Sequence, residues 1–254
     1  MRLTRVYVDE PLAGRQSVQL PESASAHLTR VLRLPVGTPL RVFDGRGGEY
    51  DATLGAATKK IAELQLGAHH AIERESPLRL TLLQGISRGE RMDLTVQKAT
   101  ELGITALRPL RSLRSTVKLD ADGAARKQAH WAGIATSACE QCGRNTLPAM
   151  LAPLTVAEAC AADTAGLKLM LAVDGALPLP QLLREAGPAI AQGITLLIGP
   201  EGGLDPAEEQ AALRAGFRSC LLGPRVLRTE TAPLAALAAL QALAGDFGAL
   251  PHPS

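Results

Sequence analysis

Aromatic side chains are scarce in this sequence: Phe, Trp and Tyr together make up 2% of its 254 residues. A hydrophobic core must therefore be built from aliphatic side chains, which the hydrophobic fraction of 46% supplies in sufficient number. The same scarcity excludes the stacking of bases on aromatic rings as the main way of holding a nucleic acid. Any contact with nucleic acid is expected to come from local groups of basic residues.

Cysteine and net charge are low as well. Four cysteines in a chain of this length do not indicate a disulfide scaffold. Cys139 and Cys142 have the spacing of a metal site but no second pair near them, so we expect free thiols and no metal ion. His69 and His70 are expected in a surface turn. The formal net charge of +2 is too small to indicate binding to a polyanion by itself.

Long apolar runs are also missing. The first ten residues, MRLTRVYVDE, contain no apolar run of the kind found in a signal peptide. The most apolar stretch, residues 232–244, is shorter than the roughly 20 residues needed to span a bilayer. We therefore expect a cytoplasmic protein with no membrane partner.

The first part of the chain has the pattern of a small β-rich domain. Short strand-like runs occur at 5–8, 40–44, 50–54 and 60–66, and one short helix is predicted at 24–32. Residues 44–48, DGRGG, predict a turn because glycine adopts positive φ at little cost. The charged segment ERESP at 73–77 indicates a boundary, so we predict a first domain over residues 1–73 and a second over 74–254.

Strands and helices alternate from residue 78 onward, which predicts an α/β layer with a mainly parallel sheet. The predicted strands are 78–83, 104–107, 167–173, 194–198 and 217–222, and the predicted helices are 90–102, 121–140, 206–215 and 232–244.

Two glycine-containing loops follow the last two predicted strands. The first is GPEGG at 199–203, and Asp205, Pro206 and Glu208 predict a capped helix directly after it. The second is GPRVLRTET at 223–231. We expect the two strands to be neighbours and the loops to meet at the carboxyl edge of the sheet, where ligands bind in open α/β folds. Two ordinary tight turns are the alternative, and neither loop has the lysine of a phosphate-binding loop or a dinucleotide fingerprint.

The residues of these loops resemble those of the RsmE-type 16S rRNA uracil-N3 methyltransferases of the SPOUT superfamily. The resemblance rests on LLIGPEGGL (196–204) and LLGPRVLRTETA (221–232). It extends along nearly the whole chain through these further motifs: HLTRVLRLPVG (27–37), FDGRGGEY (43–50), SRGERM (87–92), QKATELG (97–103) and ACEQCGRN (138–145).

The resemblance implies a fold and an activity that the spacing alone does not. It implies a PUA-like β-barrel RNA-binding domain, followed by an α/β domain whose chain end forms a trefoil knot. It also implies a homodimer that uses S-adenosylmethionine to methylate N3 of uridine 1498 of 16S rRNA, within the assembled 30S subunit. The implied cofactor-binding residues are Leu171, Ile198, Gly199, Pro200, Glu201, Gly202, Leu222, Gly223, Arg225, Val226, Leu227 and Arg228.

Candidate catalytic residues follow from the chemistry of this reaction. The N3 proton must leave, and the negative charge that develops on the flanking carbonyl oxygens needs hydrogen-bond donors. Arg228 and Arg144 are candidate donors, and Glu140, Glu201 and Glu230 are candidate proton acceptors. Other roles remain open, because Glu140 and Arg144 are four residues apart and can pair on a helix, while Glu230 can cap the last helix.

Basic residues in both domains are candidates for contacts with RNA phosphates, with a solvated surface as the alternative. They are Arg2, Arg5, Arg30, Arg33, Arg88, Arg108, Arg111, Arg114 and Lys118.

Two other functions remain possible at this point. One is methylation of another RNA or another base by the same kind of enzyme, and the other is a non-catalytic RNA-binding protein of ribosome assembly.

Overall fold

The computed structural model describes residues 3–58, 61–117, 120–162, 166–174 and 176–248. The chain forms two compact units, and each unit is made of two segments that are separate in the sequence. The first unit contains Met1–Glu75 together with Thr136–Leu147, and the second contains Ser76–Ala135 and Pro148–Ser254. The predicted boundary at residue 73 did not anticipate the short returning segment, and the domain limits 1–73 and 74–254 stay a prediction.

The first unit contains a five-stranded sheet over its described residues. The strands are β1 (Thr4–Tyr7), β2 (Ser17–Gln19), β3 (Pro39–Phe43), β4 (Glu49–Ala57) and β5 (Ala62–His70). Their order is β1-β3-β4-β5-β2, in which β1 and β3 are parallel and the other pairs antiparallel. The four predicted strands are confirmed with shifted ends, whereas β2 has only three residues and gave no pattern.

One helix and one turn of the first unit confirm the sequence prediction. Helix α1 (Glu22–Ala26) continues into a π-helical turn at His27–Val31. In the predicted turn at 44–48, three glycines have positive φ. Gly48 is required for a second reason, because a Cβ there would lie 2.7 Å from the backbone oxygen of His70. His69 itself lies in β5, so our expectation of a turn at that residue was wrong.

The second unit is built on a parallel sheet that has eight strands among the described residues. They are β6 (Leu80–Gly85), β7 (Ala106–Arg111), β8 (Ala149–Met150), β9 (Leu154–Thr155), β10 (Leu167–Leu171), β11 (Leu177–Pro178), β12 (Ile194–Ile198) and β13 (Arg218–Leu221). The order is β11-β13-β10-β12-β6-β7-β8, and β9 also pairs with β7. The predicted parallel sheet is confirmed.

The order of these strands corrects one expectation. Strands β12 and β13 precede the two glycine loops, but β10 lies between them and pairs with both. Consecutive strands are neighbours in most folds, though not in all. The chain here leaves β12, passes over β10 and returns on the far side of it.

Helices cover both faces of the parallel sheet. They are α2 (Glu90–Glu101), α3 (Ala121–Cys142), α4 (Val156–Ala161), α5 (Leu179–Ala186), α6 (Pro206–Arg214) and α7 (Thr231–Ala244). Alternate residues of a strand point to opposite faces. Accordingly Leu82 and Leu196 join the core with α2 and α7, whereas Leu83 and Leu197 join the core with α4 and α6.

The apolar last helix, α7, packs in the core. Ala236, Leu237 and Leu240 are buried there. Among the described residues, no helix is both long enough and apolar enough to cross a membrane.

A buried ion-pair network joins the returning segment of the first unit to its sheet. Glu49 is 4% exposed and forms ion pairs with Arg5, with Arg74 (3.4 Å) and with Arg41 (3.6 Å). Arg5 also donates to the backbone oxygen of Arg144 at 2.9 Å. Burial alone would raise the pKa of Glu49, but the three arginines outweigh it and hold the pKa below its usual value.

We predict that Glu49→Gln lowers the free energy of unfolding at pH 7 by about 3 kcal/mol, because it leaves the buried charge of Arg5 without its carboxylate. The folded-state pKa is depressed, so this stabilisation is present above the unfolded pKa of about 4.3 and is lost as the pH falls through the folded value. Urea denaturation at pH 7 and again below about pH 4 should show the stability gap between the two proteins narrowing at the lower pH. Glu185→Gln, which removes an exposed carboxylate paired with Arg218, is the control and should change stability far less. An equal loss for both variants would contradict the prediction.

Candidate functional site

A cavity of about 740 Å³ lies at the carboxyl ends of β10, β12 and β13 in the second unit. Its walls come mainly from residues 171–173, 198–204 and 222–230, which follow those three strands. Its volume lies within the range of small-molecule sites in proteins. The middle strand β10 therefore contributes to the site between the two predicted loops.

The first loop is fixed at both of its ends. Every residue of β12 is buried, and the strand ends at Ile198. Beyond the loop, the side chain of Asp205 accepts a hydrogen bond from Ala207 N–H at 3.0 Å, and Glu208 accepts one from Asp205 N–H at 2.9 Å. The predicted capping box of α6 is thus confirmed.

The first loop also runs directly against the end of β6. A Cβ placed on Gly85 would lie 2.3 Å from the backbone nitrogen of Pro200, a distance that no real contact reaches. Glycine is therefore required at position 85, because the backbone of the loop occupies the space that any side chain would need.

The second loop is held by the buried side chain of Thr229. Its hydroxyl donates to the backbone oxygen of Gly199 at 3.2 Å and accepts from Nε2 of Gln84 at 3.4 Å. The hydroxyl of Ser87 lies 3.2 Å away. One side chain of the second loop thus joins the first loop to the end of β6.

Charged side chains of both signs face the cavity. Arg91 donates from NH1 to Oε1 of Glu201 at 2.9 Å, and its Nε lies 3.9 Å from Oε2 of Glu230. Arg225 and Arg228 have no ion-pair partner among the described residues, so their charges are available to a ligand.

The environment of Glu201 keeps it ionised. Burial alone would raise its pKa, but hydrogen bonds from its own N–H and from that of Arg88, together with Arg91, hold the pKa below its usual value. A carboxylate with a lowered pKa is a weak proton acceptor, which disfavours Glu201 as a general base.

The structure brings the residues that the resemblance implied for the cofactor together around this one cavity. All twelve line it, including Leu171 at the end of β10. The catalytic candidates Arg228 and Glu230 line it as well. Their roles stay predictions.

The other two catalytic candidates lie in the first unit and do not line this cavity. Arg144 donates from Nε to Glu75 at 3.1 Å, and Oε1 of Glu140 accepts the backbone N–H of Tyr7 at 2.9 Å. Glu140 and Arg144 therefore each bond to a different residue of the first unit. Burial raises the pKa of Glu140. Both side chains have structural partners, and their catalytic role stays a prediction that no contact supports.

The basic residues predicted to contact RNA fall into different environments. Arg30, Arg33 and Arg88 are exposed. Arg5 is buried with its guanidinium bound to Glu49, which argues against a phosphate contact.

The basic segment 108–118 is partly neutralised by its own surroundings. Arg108 donates to the backbone oxygen of Ala152 at 2.7 Å, and Arg111 lies 3.6 Å from Glu158. Arg114 lines the cavity, and its Nε lies 3.6 Å from Oδ2 of Asp205. Two of the predicted residues, Arg2 and Lys118, lie outside the described residues.

Sequence reasoning did not assign a role to Arg91 or Thr229. Arg91 lies in the motif SRGERM and Thr229 in LLGPRVLRTETA, so the resemblance already marked both segments as important. Their contacts join segments more than 100 positions apart, at Arg91–Glu201 and Gln84–Thr229, which one sequence does not reveal.

Comparison with known proteins gives a consistent picture. A family model described as an RNA methyltransferase domain matches residues 74–241, and one described as an RNA methyltransferase PUA domain matches residues 20–67. The ribosomal RNA small subunit methyltransferase E of Buchnera aphidicola is 32% identical over 97% of this chain and 96% of its own length.

Two solved structures are similar to this chain over nearly its whole length. A ribosomal RNA small subunit methyltransferase E from Neisseria gonorrhoeae, bound to S-adenosyl methionine, is 42% identical with a TM-score of 0.90, covering 97% of this chain and 100% of its own. A Legionella pneumophila protein in complex with the bound cofactor SAM is 36% identical with a TM-score of 0.91, at the same coverage of both chains.

We predict that Gly85→Ala lowers the free energy of unfolding by about 2 kcal/mol, because the new methyl group displaces the backbone at Pro200. Gly133→Ala is the matched control. Gly133 lies in α3, and a Cβ placed on it would meet nothing within 4 Å, so alanine there should raise stability by about 0.5–1 kcal/mol. Urea denaturation of the two variants measures both changes, and similar curves for the two would refute the close approach at Gly85.

Proposed function

Because this chain belongs to the ribosomal RNA small subunit methyltransferase E family, we propose that it binds S-adenosylmethionine in the cavity described above and methylates N3 of uridine 1498 in 16S rRNA. Membership confirms the predicted fold class, a PUA-like domain followed by a SPOUT-type α/β domain with a parallel sheet. The observation that carries the proposal is the convergence of the twelve implied cofactor residues on one cavity.

The residues of the cavity fit a nucleoside cofactor. Ile198, Leu222 and Leu227 offer apolar surface for a purine ring. The backbone groups of Gly199 and Gly223 offer the polar partners that a base edge and ribose hydroxyls require. A Cβ on Gly223 would meet nothing within 4 Å, so the glycine leaves the space beside its backbone open to a ligand.

The reaction requires the removal of a proton that leaves with difficulty. When bound, S-adenosylmethionine supplies a methyl group activated by its sulfonium. Uracil N3 is a weak acid with a pKa of about 10, comparable to that of a tyrosine hydroxyl. Ionisation at N3 spreads negative charge onto the two flanking carbonyl oxygens, which fixed donors can stabilise.

Arg228 and Glu230 are the residues we assign to these two tasks. Arg228 lines the cavity with no ion-pair partner among the described residues, so its guanidinium is available to donate to a uracil oxygen. The Glu230 carboxylate lies 3.9 Å from Nε of Arg91 and faces the same cavity, where it can accept the N3 proton directly or through water. Glu230 is a better candidate than Glu201, because the pKa of Glu201 is lowered.

RNA binding is assigned to the first domain, residues 1–73, and methyl transfer to residues 74–254. Arg30 lies in the π-helical turn and Arg33 follows it, and both are exposed, as are Val31 and Val36. Arg33 has a φ of 53°, an uncommon conformation that is frequent at functional sites. We include in the proposal that the enzyme acts as a cytoplasmic homodimer on the assembled 30S subunit.

The proposed activity is tested by incubating the purified protein with labelled S-adenosylmethionine and 30S subunits that lack the modification. We expect label in 16S rRNA, and nucleoside analysis should identify 3-methyluridine at one position. Naked 16S rRNA and 50S subunits are parallel substrates. Label at another base or in another RNA would move the activity to a different target, and binding without any transfer would favour a non-catalytic RNA-binding protein.

We predict that Arg228→Ala lowers kcat by about 100-fold, because one donor to a developing oxyanion is removed. The Kd for S-adenosylmethionine, measured by calorimetry, should change much less than kcat. Arg214→Ala removes an exposed arginine of α6 outside the cavity and should leave both values unchanged. A full methylation rate in Arg228→Ala would remove this residue from the mechanism.

A further inference from the structure

One arginine outside the two glycine loops contacts a carboxylate in each of them. Arg91 lies in the first turn of α2, whereas Glu201 belongs to the first loop and Glu230 ends the second. Arg91 is not among the residues that the resemblance implied for the cofactor, nor among the candidate catalytic residues.

Two different nitrogens of Arg91 make these contacts. NH1 donates to Glu201 at 2.9 Å, and Nε lies 3.9 Å from Oε2 of Glu230. A guanidinium presents its donors in a rigid planar fork, so it can face two carboxylates at once. A lysine ammonium is a single charge on a flexible chain and lacks that geometry.

The helix that carries Arg91 is firmly held. Met92 and Val96 of α2 are buried in the core against the parallel sheet. The backbone N–H of Arg88, just before this helix, donates a second hydrogen bond to the same oxygen of Glu201 at 3.2 Å. Arg91 is therefore presented from a fixed support, while both of its partners lie in loops.

The two carboxylates have different degrees of exposure, which matters for what the contacts contribute. The side chain of Glu201 is 31% exposed and that of Glu230 is 17% exposed, whereas that of Arg91 is 46% exposed. Each exposed pair alone contributes little to folding. We expect these ion pairs to restrict the conformations of the two loops and to change the stability of the whole protein little.

We propose that Arg91 is a positioning residue that holds the two cofactor loops in their binding arrangement before the cofactor arrives. The inference rests on the proposed function, because it treats the cavity between these loops as the S-adenosylmethionine site. Ordering the loops in advance reduces the entropy that binding must otherwise overcome. The ionised state of Glu201 agrees with this arrangement, since the loss of Arg91 would remove one of the groups that lower its pKa.

The affinity test compares Arg91→Met, Arg91→Lys and a matched control. We expect Arg91→Met to raise the Kd for S-adenosylmethionine about fivefold, the upper end for exposed ion pairs. Arg91→Lys should not restore the affinity, because it replaces the charge without the fork. Arg218→Met removes a partly exposed arginine paired with Glu185, outside the cavity, and should bind like the wild type.

Hydrogen exchange of the free protein supplies a readout that a simple charge effect would not give. In Arg91→Met, amides of both 199–204 and 223–231 should exchange faster than in the wild type, with an unchanged urea denaturation curve. Faster exchange in the first loop alone, wild-type affinity in Arg91→Met, or full rescue by Arg91→Lys would each overturn the proposal. If the wild type itself fails to bind S-adenosylmethionine, the proposed function falls and this inference with it, so the two failures can be told apart.

Discussion

A single buried hydroxyl sets the geometry on which the site depends. Thr229 bonds to Gly199 of the first loop and to Gln84 at the end of β6, so three distant parts of the chain meet at one atom. The absence of a side chain at Gly85 permits the same meeting, because the backbone at Pro200 fills that space. The walls of the cavity follow from these two constraints: with the loops fixed at this point, their remaining residues face the ends of β10, β12 and β13.

Local patterns were predictable where burial or capping determines the structure. Strand β12 was predicted with its observed ends because all five of its residues are buried and four of them are apolar. The capping box at Asp205 and Glu208 likewise fixed the beginning of α6. The short helix α4 and the two-residue strands β8, β9 and β11 gave no usable period, because a pattern needs more residues than they have.

What depended on the packing of distant segments was not predictable from one sequence. The placement of β10 between β12 and β13 follows from how the chain crosses the sheet. The sequences of the three strands do not indicate this order. The motif ACEQCGRN shows the same limit. Its residues Glu140 and Arg144 have the chemistry of catalysis, yet the structure pairs them with Tyr7 and Glu75 in the first unit. The residue types indicated that these side chains make important polar contacts, but only the fold shows which residues they contact.

The division of α3 has a consequence for the synthesis of the protein. The last part of this helix and the residues after it, Thr136–Leu147, belong to a unit whose other members all lie within Met1–Glu75. A growing chain that has emerged only to residue 75 therefore lacks the backbone oxygen of Arg144 and the side chain of Asn145, both partners of Arg5. This unit cannot mature in strict order from the N-terminus, although domains generally fold as units while the chain is being made. Its completion waits for the ribosome to translate Ser76–Ala135 of the neighbouring unit, and a contiguous fragment cut at the sequence boundary would not contain all of its parts.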